Sequence, residues 1–138
     1  MEFVIMWVLP RVIINKILGH AQRSAPNECV GILSGQGKDI TGWYPLKNSL
    51  AETTRFLADP SQQIQLFKKL RQEEKEVVAI YHSHPTTPPT PSKLDISQSE
   101  YPNALYLIVS LSTEGCLEVN GYRIKNGEAT EEMLSIKD

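Results

Sequence analysis

Apolar residues recur along this chain at two spacings, and each spacing marks a kind of element. Ile13, Ile14, Ile17, Leu18 and Ala21 form one helical stripe. Pro10 suits a first turn and Pro26 lies just beyond the end, so a helix is expected from Pro10 to about Ser24. His20 lies away from the centre of the stripe and reads as a surface residue. A second helix is expected after Asp59-Pro60-Ser61-Gln62, with Asp59 as cap and Pro60 in the first position. Its apolar face is Ile64, Phe67 and Leu70; Lys68, Lys69, Arg71, Glu73 and Glu74 make a solvated face. Strand patterns cover Glu28 to Leu33, with Glu28, Val30 and Ile32 on one face, and about Ile40 to Leu46, joined through the turn Gly35–Asp39. Asn48 to Thr54 is a polar loop and Phe56-Leu57 a short strand. Val77 to Tyr81 and Ala104 to Leu111 are long apolar runs and read as buried strands. Cys116 to Ile124 alternates as a hairpin partner, and Thr130 to Lys137 is a final strand or a frayed end. Phe3 to Leu9 is too short to span a membrane and reads as an edge strand. Helices interleaved with strands predict an α/β fold: a single domain over 1–138, with a mixed sheet flanked by helices.

Composition narrows the classes. A net charge of −2 over 138 residues carries no nucleic-acid footprint. No signal or membrane segment is expected, and a cytoplasmic protein is. Cys29 and Cys116 have no metal or redox spacing, and both read as small buried hydrophobes.

The chemistry concentrates where the run Val77–Tyr81 ends, in His82-Ser83-His84-Pro85. Alternation puts His82 and His84 on one face and Ser83 on the other. Pro85, Pro88, Pro89 and Pro91 stiffen the loop that follows. That loop delivers Ser92-Lys93-Leu94-Asp95, a helix start with Ser92 as cap, expected to run from Lys93 to about Ser99. Two histidines and one carboxylate form a known catalytic zinc set with a fourth position left for water. His-x-His and Ser-x-x-Asp are each common alone; their conjunction after a buried strand is not.

His82-Ser83-His84-Pro85, seven residues from Pro85 to Pro91, and then Ser92-Lys93-Leu94-Asp95 resemble the signature of the JAMM (MPN-plus) zinc metalloproteases. The segment Asn27–Gly35, with Glu28, resembles the early strand that carries that family's glutamate. Tyr44–Asn48 and Arg55–Pro60 are also similar to the family, and the likeness spans about Leu9 to Gly121. The resemblance implies a cytidine-deaminase-like sandwich and one zinc ion per chain, held by His82, His84 and Asp95. It implies that Glu28 is general base and then general acid, and that Ser92 donates to the oxyanion. On its residue type alone, a glutamate after Pro26-Asn27 would be an exposed strand start. Ser83 is expected to tie the strand end to its neighbours.

The implied substrate is a peptide or isopeptide bond after the C-terminal Gly-Gly tail of a ubiquitin-like protein, with the tail extended along a sheet edge. The run from Asp95 to Ala104 is short and holds no second Cys/His cluster. The chain therefore resembles the small prokaryotic members, which are associated with sulfur-carrier proteins. Two alternatives are a deubiquitinase-like isopeptidase and a catalytically silent scaffold. A nucleoside deaminase would need His-x-Glu and Pro-Cys-x-x-Cys, and neither occurs.

Overall fold

The structure is a computed structural model that describes residues 6–50 and 52–138. The elements in chain order are β1 (Trp7–Pro10), α1 (Arg11–Ser24), β2 (Val30–Gln36), β3 (Asp39–Leu46), α2 (Pro60–Gln72), β4 (Glu76–His84), α3 (Lys93–Ser97), β5 (Leu105–Ser110), β6 (Glu118–Lys125), β7 (Glu128–Glu132) and β8 (Leu134–Lys137). The strands form one eight-stranded mixed sheet in the order β7-β6-β5-β4-β2-β3-β1-β8. The β4–β5 pair is parallel, while β2 pairs antiparallel with both β3 and β4. Among the described residues no helix is long and apolar enough to cross a membrane.

Both sheet faces are covered, which is why β4 and β5 read as continuous apolar runs. On one face the α1 stripe Ile13, Ile14, Ile17 and Ala21 packs with Leu33, Ala79, Tyr81, Leu105 and Leu107. On the other face Val30, Ile32, Ile80, Tyr106, Ile108 and Tyr122 pack with Leu70 of α2 and, at the margin, Leu66, Phe67 and Ile96. The ring of Tyr81 crosses directly over Gly31, where an added Cβ would lie 2.2–2.3 Å from ring atoms. Gly31→Ala is expected to destabilise the fold by about 1–3 kcal/mol through overpacking. A urea midpoint equal to that of wild type at an unchanged m-value would contradict this.

Several expectations are corrected. Phe3–Ile5 lie outside the described residues, and β1 is not an edge, because it pairs with β3 on one side and β8 on the other. Phe56-Leu57 is not a strand; the neighbouring Ala58 forms an isolated bridge with Asn48. Ile64 is 67% exposed, and Leu66 takes the inward place beside Phe67 and Leu70. α3 ends at Ser97, two residues short of Ser99. Thr130–Lys137 does not form one strand: Met133 separates β7 from β8, which lie at opposite ends of the strand order. Cys29 is buried, but Cys116 is exposed in the β5–β6 turn, and both thiols are free. His20 is half-buried, with Nδ1 2.7 Å from the Tyr81 hydroxyl, which also accepts from Trp43 Nε1 at 3.0 Å. Burial, and then the Arg23 charge, lower the His20 pKa.

Candidate metal centre

β4 ends in Tyr81-His82-Ser83-His84, and strand alternation divides these side chains between two layers. Tyr81 and Ser83 face the α1 side. The Ser83 hydroxyl accepts from the Cys29 N–H at 2.8 Å, so it ties β4 to the chain entering β2. His82 and His84 face the α2 side. Antiparallel pairing sets Val30 level with His82. Glu28, two residues earlier on the same face, is thereby carried toward His84. Its side chain is buried, the residue being 4% exposed, and Oε1 has no hydrogen-bond partner.

The proline loop ends in a capping box. The Asp95 N–H donates to Ser92 Oγ at 3.0 Å, and the Ser92 N–H donates to Asp95 Oδ2 at 2.9 Å. This fixes the carboxylate, whose Oδ2 also lies 3.1 Å from His82 Nε2 and 3.0 Å from His84 Nε2. The two Nε2 atoms are 3.2 Å apart. A tetrahedral zinc ion with bonds near 2.0–2.1 Å separates its ligand atoms by about 3.3 Å, so the triangle has the right size for one such ion. The donor set also fits. His84 Nδ1 lies 2.8 Å from the Pro88 carbonyl, which can only accept. Nδ1 therefore carries the proton and Nε2 offers a lone pair to the cluster. Ser92 Oγ receives the Asp95 amide, which leaves its own proton free to be donated outward.

Charge is distributed unevenly over these groups. Burial works against the Asp95 carboxylate, but its close contacts with the His82 and His84 rings, together with the Ser92 N–H, outweigh it and hold its pKa far below the ordinary value. Burial lowers the His82 pKa, and the hydrogen bond to Asp95 does not offset it. Burial also opposes a charged His84, but Asp95 and the Pro88 carbonyl raise its pKa overall. Burial raises the Glu28 pKa to about 7, with His84 opposing and Asp95 adding to the shift. A carboxyl near neutrality can both accept and return a proton at physiological pH.

His82, His84 and Asp95 thus meet at one point, with Glu28 carried to the same face and Ser92 locked to Asp95. Sequence reasoning missed two supports. Phe56 stacks on the His82 ring at 4.7 Å between centroids. Asn48 Nδ2 donates to the Glu28 carbonyl at 2.8 Å, while its Oδ1 accepts from the Leu50 and Leu57 amides. Only the likeness of Tyr44–Asn48 and Arg55–Pro60 to a known family points at these segments, and it assigns them no role.

A family model described as prokaryotic homologs of the JAB domain matches residues 10–123. The chain belongs to that family. This JAB-family chain is 31% identical over 126 residues to the CysO-cysteine peptidase of Mycobacterium tuberculosis, covering 90% of this chain and 86% of the relative. It is 35% identical over 94 residues to a probable TtuB-protein conjugate cleaving protease of Thermus thermophilus, covering 67% of this chain and 63% of the relative. A crystal structure of a JAB1/MPN domain protein from Archaeoglobus fulgidus matches with a TM-score of 0.60 at 21% identity, over 95% of this chain and 97% of that one, and so shares the fold. The JAB-family chain is a hydrolase, and its His82, His84 and Asp95 form a group that could hold a metal ion.

Proposed function

We propose that this chain is a zinc peptidase that cleaves the bond following the C-terminal Gly-Gly tail of a ubiquitin-like sulfur-carrier protein. The observation that carries the reading is the convergence of two imidazole nitrogens and one carboxylate oxygen within 3.2 Å of one another. In this reading His82, His84 and Asp95 hold zinc, which supplies a Lewis acid and makes a hydrolytic nucleophile available at neutral pH. Glu28 takes the proton from the attacking water and returns it to the leaving amine. The Ser92 hydroxyl donates to the oxyanion; losing such a donor reduces rate by about 10²–10³-fold. Phe56 and the Pro88 carbonyl keep the two imidazoles from turning.

A cavity of about 460 Å³ begins at His82 and Asp95 and runs over Val30, Ile32 and Ile80, with Phe56 and Tyr101 among its walls. It suits an extended polypeptide tail. The tail does not join a sheet edge beside the cluster, because β2 and β4 are each paired on both sides. It lies instead between the sheet face and the loops, and glycines at its end let its backbone approach the cluster closely.

Zinc-loaded protein incubated with a carrier bearing one residue after Gly-Gly is expected to release that residue, read as a drop in intact mass. An unchanged mass, with one zinc per chain confirmed by elemental analysis, would reject the substrate assignment. The name of the T. thermophilus relative favours a second reading, an isopeptidase that releases the carrier from a protein lysine. A carrier–protein conjugate run in parallel separates the two. A silent scaffold would hold no zinc and cleave neither.

A further inference from the structure

The metal centre depends on a loop that cannot fasten itself in the usual way. Pro85, Pro88, Pro89 and Pro91 have no N–H, so most of the loop can be held only through carbonyls that accept. Three consecutive carbonyls are held like this, each by a side chain from a different strand. Thr87 O accepts from Ser110 Oγ of β5 at 2.5 Å. Pro88 O accepts from His84 Nδ1 of β4 at 2.8 Å, and from the Thr90 N–H at 2.8 Å. Pro89 O accepts from the Tyr122 hydroxyl of β6 at 3.0 Å, and Asn120 Nδ2 lies 3.4 Å from the same oxygen.

The three strands are neighbours, and their register sets two of the donors level, with Tyr122 reaching the loop from four residues further along. Ser110 is level with His84 across β4–β5, and Tyr122 with Tyr106 across β5–β6. Ser110 is fully buried and Tyr122 is 7% exposed, so both hydroxyls bond in a dry setting. Pro89 is itself buried, although the residues on either side of it are exposed. Neither Ser110 nor Tyr122 lines the cavity that begins at the cluster. Their hydroxyls are thus directed at the loop, away from the place where a substrate would lie.

We propose that Ser110 and Tyr122 are positioning residues for the metal centre, pinning the proline loop by its carbonyls at Thr87 and Pro89 so that Pro88 fixes His84 and the loop's end presents Ser92 and Asp95. This rests on reading the cluster as a zinc site. The pinned carbonyls on either side of Pro88 set where its oxygen lies, and that oxygen determines which His84 nitrogen faces the cluster. The same stiff segment sets the start of α3 and with it the Asp95 carboxylate. Two of the three ligands therefore take their direction from hydroxyls that never touch the metal.

The test uses the full-length chain and measures Zn²⁺ affinity by competition with a chelator, alongside thermal unfolding of the metal-free protein. Ser110→Ala and Tyr122→Phe are each expected to weaken zinc binding by about 10-fold or more, and the double variant further. Tyr81→Phe is the stability control: it removes a buried hydroxyl that bonds His20 and Trp43 on the opposite face, and is expected to keep wild-type zinc affinity whatever its unfolding midpoint. Wild-type affinity in the single and double variants overturns the proposal, as does an equal loss in Tyr81→Phe. A wild-type chain that binds no zinc overturns the metal reading itself, and this proposal with it.

Discussion

Glu28→Gln is expected to keep one zinc per chain and to lose hydrolysis by about 10²–10⁴-fold. The carboxyl is on the face of the cluster but outside its ligand triangle, so replacing it with an amide of the same shape leaves the three donor atoms in place. Burial raises its pKa to about 7 in the metal-free chain, and a nearby cation pulls it back down. The acid limb of kcat/KM is therefore expected at or below pH 7, where protonated Glu28 can no longer accept a proton, and it should disappear in the glutamine variant. Stability should move the opposite way. A carboxyl whose folded pKa lies above its unfolded value is penalised once pH passes the unfolded value, and the penalty is complete above the folded one. A shift from 4.5 to about 7 corresponds to about 3 kcal/mol. Without metal, the wild type should thus be the weaker of the two proteins at pH 8, with Glu28→Gln gaining up to that amount in a denaturant titration. Full activity in the variant would remove Glu28 from the mechanism.

His84→Ala is expected to abolish zinc binding and to bring hydrolysis down by about 10⁴-fold or more, toward the uncatalysed rate. Two ligand groups would remain, and Asp95 would lose its contact with the His84 ring, which helps keep it ionised. Chelation of the wild type should give the same loss of activity, reversed when zinc is returned. Acid should weaken zinc binding, because Asp95 and the Pro88 carbonyl raise the His84 pKa and a proton competes for Nε2 as pH falls. Elemental analysis together with the mass-based cleavage assay checks both parts. One zinc per chain in His84→Ala would show that the cluster is not the site.

The parts of the site that sequence makes legible are those set by local rules. Strand alternation places His82 and His84 together, and the capping box places Asp95 against Ser92. Glu28 is legible only through family likeness, because its burial depends on β2 pairing with β4 and on Asn48 holding its carbonyl. Phe56 reads as strand in isolation because its role, stacking on His82, is a contact between distant parts of the chain. The same distinction runs through the fold. The α1 stripe and the buried β4 and β5 runs follow from periodicity. The inner place of β1 and the separation of β7 from β8 are matters of strand order, which no local pattern encodes. Ile64 and Cys116 depart from expectation for a related reason: a hydrophobe near a turn or helix start has no local signal for which way it faces.

One run of chain, residues 128–137, supplies both outermost strands, with Met133 alone between them. The sheet must therefore curl until its two margins come within one residue of each other, and the Trp7 N–H donates to the Met133 carbonyl at that junction. Pulling either flank away from the sheet would therefore strain the other, and loosening the junction would release both together.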